Sequence, residues 1–550
     1  MHYNGRAMAS RPPIVIDYGA FQQPPSRLFR DYLTSAPAVQ AFYEPARWDL
    51  EGLQASAESA LRSPRPRDKV FEALIRQQEA REAPAAAAQA RRLRDPRATA
   101  LVTGQQAVLF GGPLYVLYKA LAAVVLARVL EARRGAPVVP VFWVAADDHD
   151  FAEIRSTTVL DEMGQIHDVR YSPHREPVGQ PAAKITLDDT VTEIVEELRG
   201  HLPAGLHRDE VLSLLAACYR PGATLSEAFA RLLSSLLPDL VVLDPSDPAL
   251  KAASLPVFSR ELVEHSPTSR LAAQAGQRLL AAGYHQQVPV RAGFLNLFVY
   301  LEGERRAMGW ENGIIEVRGL GRKMPVADAQ RILENDPAAL SAGVLLRPLS
   351  QDHLLPTAAY VGGPAEIAYH AQIGPSYAHF GIPRPVLVPR PSVTLVEPAQ
   401  ARALEADEIS LPDLQSDPQG MLSRWARQDY PEADAAFGRA RKAIEKEMAS
   451  VEEILGALDP TLKAAADSAR GRALHQVETL QEKAMRALKK RDQSRADRLR
   501  RTRDALMPGG SFQERGLGLV NLLARHGVAV VEDIGQRIDP FARGHQVIYL

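Results

Sequence analysis

Residues 98–150 read ATALVTGQQAVLFGGPLYVLYKALAAVVLARVLEARRGAPVVPVFWVAADDHD, and their pattern decides the fold. Ala98 to Thr103 is a short apolar run that ends in Gly104. A loop carrying Gly111-Gly112-Pro113 follows, then an apolar helix from about Leu114 to Arg134, stopped by Gly135. Pro137 to Ala145 is a second apolar strand. Strand, glycine loop, helix and strand in this order form a βαβ unit, which implies a parallel sheet covered on both faces. Ligands bind such sheets outside the carboxyl ends of the strands. Both strands here end in polar clusters, Gly104-Gln-Gln106 and Asp147-Asp-His-Asp150.

Working outward, the pattern predicts helices over Val191–Leu198, Leu225–Leu236 and Thr268–Ala282, and strands over Leu240–Leu243 and Phe294–Tyr300. Sheet pattern returns at Ala358–Val361 and Pro385–Val388, so the sheet is interrupted by a large insertion and completed late. Upstream, Phe71 to Arg92 reads as helix broken at Pro84. Downstream, Ile444, Met448, Val451, Leu455 and Leu458 follow heptad spacing, Pro460 interrupts, and Ala473, Val477, Leu480, Ala484 and Ala487 resume it. That is an antiparallel coiled-coil hairpin. The expected class is α/β with a helical hairpin. The expected division is 1–95 (helical start of the core), 96–150 (its first half), 151–340 (insertions mixed with core), 341–400 (its second half), 401–510 (coiled coil) and 511–550 (a segment packing back on the core).

The chain has 550 residues, with 65 Lys plus Arg against 66 Asp plus Glu, a formal charge of −1. Its 46 % hydrophobic and 24 % charged shares are those of a soluble globular protein. Near-zero charge argues against a bulk polyanion binder. The single cysteine, Cys218, excludes an intramolecular disulfide framework and any cysteine-cluster metal site. Arg6 and Arg11 precede no apolar signal segment, and the longest apolar stretch, Ala120–Leu130, is about half of what a membrane span needs. A cytoplasmic protein without nucleic-acid or membrane partners is expected.

Four sets of residues are candidates for chemistry. The Thr103–Tyr115 loop is neither a dinucleotide fingerprint nor a P-loop; it reads as a tight turn or as an anion cradle, and Gln105 and Gln106 favour the cradle. Asp147, Asp148, His149, Asp150 and Glu153 form the densest titratable cluster. Four carboxylates around one imidazole are expected to raise its pKa and serve proton transfer; the alternative is a helix cap with an acidic first turn. Arg347, Gln351, Asp352 and His353 precede Tyr360 and a second Gly-Gly-Pro at Gly362-Gly363-Pro364, then Glu366 and Tyr369; Arg347 could clamp a carboxylate, or only close a turn in a salt bridge. Arg390 and Ser392 set a cation and a hydroxyl at the same sheet edge. The nine basic residues from Arg486 to Arg503 have no interleaved aromatic for base stacking and read as a solvated face or a dimer contact.

Residues 103–119 (TGQQAVLFGGPLYVLYK), 140–153 (PVFWVAADDHDFAE), 347–366 (RPLSQDHLLPTAAYVGGPAE) and 389–394 (PRPSVT), with the C-terminal His545-Gln-Val-Ile548, resemble the bacillithiol-biosynthesis cysteine-adding enzymes, the cysteine ligase BshC family. The resemblance implies a Rossmann-like core related to class I aminoacyl-tRNA synthetases, with connective-peptide insertions and a coiled coil that supports a homodimer. It implies a ligase joining the carboxyl of L-cysteine to the amine of glucosaminyl-malate, with ATP or another activating nucleotide and magnesium. The synthetase histidine pair is replaced by Phe110-Gly-Gly-Pro113, Arg322-Lys-Met-Pro325 is a poor match to the synthetase lysine motif, and no zinc site is recognisable. On this resemblance Gln105, Gln106, Gly111 and Gly112, with Tyr115 and Lys119, hold phosphate or carboxylate. Asp148, His149 and Asp150, beside Glu153, position and deprotonate the attacking amine. Arg347, Gln351, Gly362, Gly363, Glu366, Tyr369, Arg390 and Ser392 bind substrate. The competing class is a synthetase-like nucleotide-binding protein without ligase chemistry. A third, a tRNA-acting enzyme, finds no support in the net charge or in the aromatic-free basic helix.

Overall fold

The computed structural model describes residues 12–44, 47–290, 293–415, 418–491 and 493–550. Arg6 and Arg11 lie outside the described residues, as do the side chains of 488–492 in the basic run. One compact unit comprises the chain up to residue 398 together with 512–550; the other comprises 399–511.

The first unit is built on a five-stranded parallel sheet. Its strands are β1 (Thr99–Gln105), β2 (Val138–Val144), β3 (Val241–Leu243), β4 (Thr357–Gly362) and β5 (Val386–Pro389). They lie side by side as β5-β4-β1-β2-β3. Every residue of β2 and all but the last of β1 are buried, as a sheet covered on both faces requires. Helix α1 (Leu114–Arg134) follows β1 and ends on Gly135 at φ 60°, at the residues the apolar pattern predicts. Helix α2 (Pro364–Phe380) follows β4, with Pro364 in its first turn and Gly381 at φ 66° closing it. The chain runs outward from β1 through β2 to β3, then returns to place β4 on the opposite flank of β1. The strand order therefore reverses between β1 and β4, and in doubly wound sheets that is where ligands bind.

The middle region contributes β3 to this sheet and otherwise builds its own structure. An antiparallel five-stranded sheet runs 322–325, 314–317, 304–311, 294–301, 340–342 over an apolar core that also takes in Tyr369, Ile373 and Tyr377 of α2. Arg322 to Pro325 is its edge strand, paired with 314–317. Upstream, the expected break appears as two helices, Arg67–Ala80 and Pro84–Arg92, with Pro84 in the first turn of the second.

A three-stranded sheet that the pattern did not predict joins the chain ends. His545–Tyr549 lies between Ile14–Ile16, antiparallel, and Ser392–Val396, parallel. Glu514 sits beneath it and accepts from Arg390 Nη2 (2.8 Å), Ser392 Oγ (2.9 Å) and the Val393 N–H (2.8 Å). His545 is fully buried, with its ring nitrogens 2.8 Å from Ser392 Oγ and Thr394 Oγ1.

In the second unit, Pro431–Leu458 and Leu462–Arg491 form an antiparallel helical hairpin. Gln481 bridges Arg441 (2.8 Å) and Asp434 (3.0 Å), and Arg470 pairs with Glu452 (2.9 Å). The heptad seam is only partly covered, because two helices shield each other on one side alone: Val451, Leu458 and Leu480 are 41 %, 74 % and 58 % exposed. Within the basic run, Arg495 and Arg498 converge on the buried Asp407 at 3.0 and 2.7 Å. Among the described residues, no helix is long and apolar enough to cross a membrane.

Burial, followed by the Arg390 charge, holds the His545 pKa down at about 4. The unfolded chain takes up this proton near 6.5 and the folded chain does not, so stability falls as pH drops from about 6.5 to about 4. The expected loss is about 3 kcal/mol. Urea unfolding across that window measures it, and His545→Gln should remove this part of the slope.

Candidate functional site

A cavity of about 620 Å³ opens at the β1–β4 switch point. Its floor is the carboxyl end of the sheet: Gly104 and Gln105 from β1, Ala145 after β2, Gly363 after β4 and Arg390 after β5. Of the predicted residues it gathers Gln105, Gln106, Tyr115, Lys119, Glu153, Arg347, Gly363, Glu366, Tyr369 and Arg390.

Lys119 is 2 % exposed in the second turn of α1. Its Nζ donates to Gly104 O (2.8 Å) and Gln105 Oε1 (2.9 Å) and pairs with Glu366 Oε2 at 2.5 Å. Glu366 also accepts from Tyr360 Oη (2.6 Å) and the Gly363 N–H (2.8 Å), which caps α2. Burial opposes ionisation of Glu366, but Lys119 and these hydrogen bonds outweigh it and hold the carboxyl below its usual range. Lys119 is therefore committed to the walls.

Arg390 is likewise committed: 6 % exposed, it pairs with the buried Glu514 and lies over the Tyr115 ring at 5.3 Å. Arg347 differs. Its Nη1 donates to Gln351 Oε1 (2.9 Å) and its Nη2 to Tyr369 Oη (3.0 Å), while its guanidinium lies over the Tyr360 ring at 5.6 Å. Among the described residues it forms no ion pair, and the Glu366 carboxylate supports its charge only from beyond contact distance. Arg515, exposed and also without an ion pair there, is a second such cation.

Several expectations need correction. Gly111 and Gly112 do not reach the cavity. Their N–H groups donate to Val108 O (3.2 Å) and Leu109 O (3.1 Å), and a Cβ on either would meet Leu519 or Val108 side chains within 3 Å. They make a packing turn, not an anion cradle. Ser392 is buried in the chain-end sheet, and Gln351 is buried behind Arg347. Gly362 is the buried end of β4, where its carbonyl accepts from the Arg390 N–H at 2.8 Å.

The acid–histidine cluster splits. Asp147 turns inward to Lys251 (2.6 Å) and Tyr300 Oη (2.6 Å). Asp148 accepts from Gln106 Nε2 (2.7 Å), which also donates to Glu153 (2.8 Å). Asp150 is exposed and precedes the four-residue helix Phe151–Ile154 without capping it through its side chain. His149 Nδ1 lies 3.4 Å from Arg305 Nη1. A guanidinium only donates, so Nδ1 must be the acceptor of a neutral ring. Burial first, and Arg305 second, push its pKa down, the reverse of the rise expected from its acidic neighbours. Arg305, Arg515, Gln287, Trp143 and Tyr360 complete the surroundings; Trp143 and Tyr360 lie within stretches that the pattern singles out, and the other three do not. Among the described residues, no group of three or more His, Cys, Asp or Glu side chains is arranged to hold a metal ion.

Replacing Glu366 by Gln strands a buried ammonium and should cost about 3–5 kcal/mol in urea unfolding. Lys119→Met combined with Glu366→Gln should restore most of it, since the pair then leaves no unpaired charge.

Comparison with known proteins agrees with this architecture. Residues 16–391 match the family described as bacillithiol biosynthesis BshC, N-terminal Rossmann-like domain, and residues 393–550 match the corresponding C-terminal coiled-coil domain. Proteins named "Putative cysteine ligase BshC" are similar over most of their length. That of Salinibacter ruber is 33 % identical, covering 99 % of this chain and 98 % of the relative; that of Koribacter versatilis is 34 % identical, covering 92 % and 94 %. The relative from Geobacillus thermodenitrificans is 31 % identical over 84 % of this chain and 86 % of its own. With a parallel sheet, a helical hairpin and both family domains in order, the chain belongs to the bacillithiol biosynthesis BshC family.

Proposed function

We propose that this chain is a cytoplasmic ligase that joins the carboxyl of L-cysteine to the amine of glucosaminyl-malate in the last step of bacillithiol synthesis, with ATP or another nucleotide and magnesium activating the carboxyl. The observation that carries the reading is Arg347, a guanidinium at the switch point with neutral hydrogen-bond partners and no ion pair among the described residues. Such a group takes a carboxylate or phosphate bidentately. Arg515, on the same wall, offers a second cation to an anionic substrate or to the nucleotide. With Gly111 and Gly112 packed away, these two cations take over the anion-holding role expected of the glycine loop.

An amide forms from a carboxylate in water only after one of its oxygens is made a leaving group. The amine must then arrive unprotonated. Glu153, exposed on the cavity wall and held by Gln106, is the carboxylate we assign to take that proton. The C–N bond forms as the bond from the cysteine carbonyl carbon to the activating phosphate oxygen breaks. His149 is not given the base role, because its Nδ1 lone pair is held by Arg305 and its Nε2 carries the ring proton. Asp148 acts through Gln106 as a positioning residue. The partly exposed seam of the hairpin supports pairing with a second copy of the chain.

Mass spectrometry of the purified chain incubated with L-cysteine and glucosaminyl-malate, with and without ATP and magnesium, tests the reading. ATP-dependent bacillithiol is expected. Nucleotide binding without product under any condition would instead make this a nucleotide-binding protein without ligase chemistry. Arg347→Lys should raise the KM of an anionic substrate about tenfold or more, through loss of a charge-assisted contact of about 1.5–3 kcal/mol. Glu153→Gln should lower kcat, whereas His149→Gln should leave most of it.

A further inference from the structure

A second, larger cavity of about 760 Å³ lies elsewhere in the first unit, lined by Arg384, Arg278, Ser56, Ser59, Glu44 and Tyr377 among others. It shares no lining residue with the cavity at the switch point. Arg384 is its notable member. The guanidinium is seated by two carbonyls, Phe42 O at 2.9 Å and His370 O at 2.7 Å. Among the described residues it forms no ion pair; Glu44, the carboxylate in the lining, is exposed and makes none with it. The seat is shaped for this side chain: at Gly374 a Cβ would come within 2.7 Å of Arg384 Nη1. Burial lowers the Arg384 pKa, because the cation has lost more to desolvation than the nearby tyrosines and the more distant Glu44 carboxylate return. Arg278, exposed on the lining, adds a second cation, and Ser56 and Ser59 add hydroxyls.

A chain of hydrogen bonds leaves this cavity toward the first. Tyr377 Oη donates to Asp352 Oδ2 at 2.6 Å. Gln351 Nε2 donates to Asp352 Oδ1 at 2.9 Å, which fixes the orientation of the amide and leaves Oε1 to accept from Arg347. Tyr377 in the wall of one cavity is thus joined through Asp352 and Gln351 to Arg347 in the wall of the other, and the Arg384 charge reaches Tyr377 through space.

We propose that this second cavity binds a small oxyanion, a phosphate or a carboxylate, on Arg384, and that its occupancy is felt at Arg347 through Tyr377, Asp352 and Gln351. The binding claim stands without the ligase reading; the coupling claim rests on the first cavity taking L-cysteine.

Titration calorimetry of the full chain with inorganic phosphate and with succinate tests the binding claim, in an Arg347→Met, Arg515→Met background that removes both unpaired cations of the first cavity. Uptake of at least one of the two anions is expected. Adding Ser59→Glu, which supplies a tethered carboxylate, should weaken it at least about tenfold with the melting temperature preserved. Uptake of phosphate alone or of succinate alone identifies the oxyanion. Uptake of neither, or uptake indifferent to Ser59→Glu, overturns the site. Arg384→Met is a less clean variant because its loss frees two buried carbonyls. For the coupling, Ser59→Glu alone should shift the L-cysteine affinity of the otherwise native chain about fivefold or more, and Tyr377→Phe should erase the shift. Equal affinities overturn the coupling and leave the site. No L-cysteine binding to the native chain counts against the coupling and against the first cavity's assignment, and leaves the anion result intact.

Discussion

An ammonium sealed inside an α/β core must meet its counter-charge there, and Lys119 meets it across the switch point. Its three acceptors come from the end of β1 and from the first turn of α2, so one side chain ties together the two halves of a sheet whose strands are more than 200 residues apart in the chain. A buried ion pair contributes little net stability over an apolar replacement, but it penalises every arrangement in which the charges are apart. Arg390 and Glu514 repeat the device on the neighbouring wall. With these pairs closed, the charges left to face the cavity are few. Among the described residues, Arg347 and Arg515 are the cations of its lining that form no ion pair.

Much of the fold was legible because the deciding patterns are local. Helix α1 is bounded by a proline and a glycine, and its apolar content commits most of its surface to burial. The broken helix at Pro84 and the heptads of the hairpin are equally local. The strand at His545–Tyr549 was not legible, since its partners lie about 150 and more than 500 residues away and five residues carry little periodicity of their own. The two Gly-Gly-Pro loops show the same limit. In sequence they look alike, yet the first is locked by packing against Leu519 and Val108 whereas the second delivers a capped helix to the cavity.

The histidine cluster was misread for a related reason. Sequence proximity shows four carboxylates near His149, and none of them dominates its titration once the chain is folded. Arg305 arrives from 156 residues downstream and takes the ring nitrogen. Asp147, adjacent in sequence, points away to Lys251. A cluster of charges along a strand end therefore says that charge is concentrated there, but the neighbour that sets a proton's fate can come from any element that crosses above it.

The chain-end sheet has a consequence for biogenesis. Ile14–Ile16 can find its partner only when His545–Tyr549 has been synthesised, and Arg515 on the cavity wall and Glu514 behind Arg390 come from the same late segment. On the ribosome, the Ile14–Ile16 strand must wait while more than 500 further residues are made, with a row of unpaired backbone groups exposed. A nascent chain stalled before residue 512 would hold the strands of the parallel sheet yet lack Arg515 on the cavity wall and the counter-charge of Arg390. Assembly of the cavity is in this way postponed until residues 512–550 are made, so chains terminated before them carry an unfinished site and an open sheet edge.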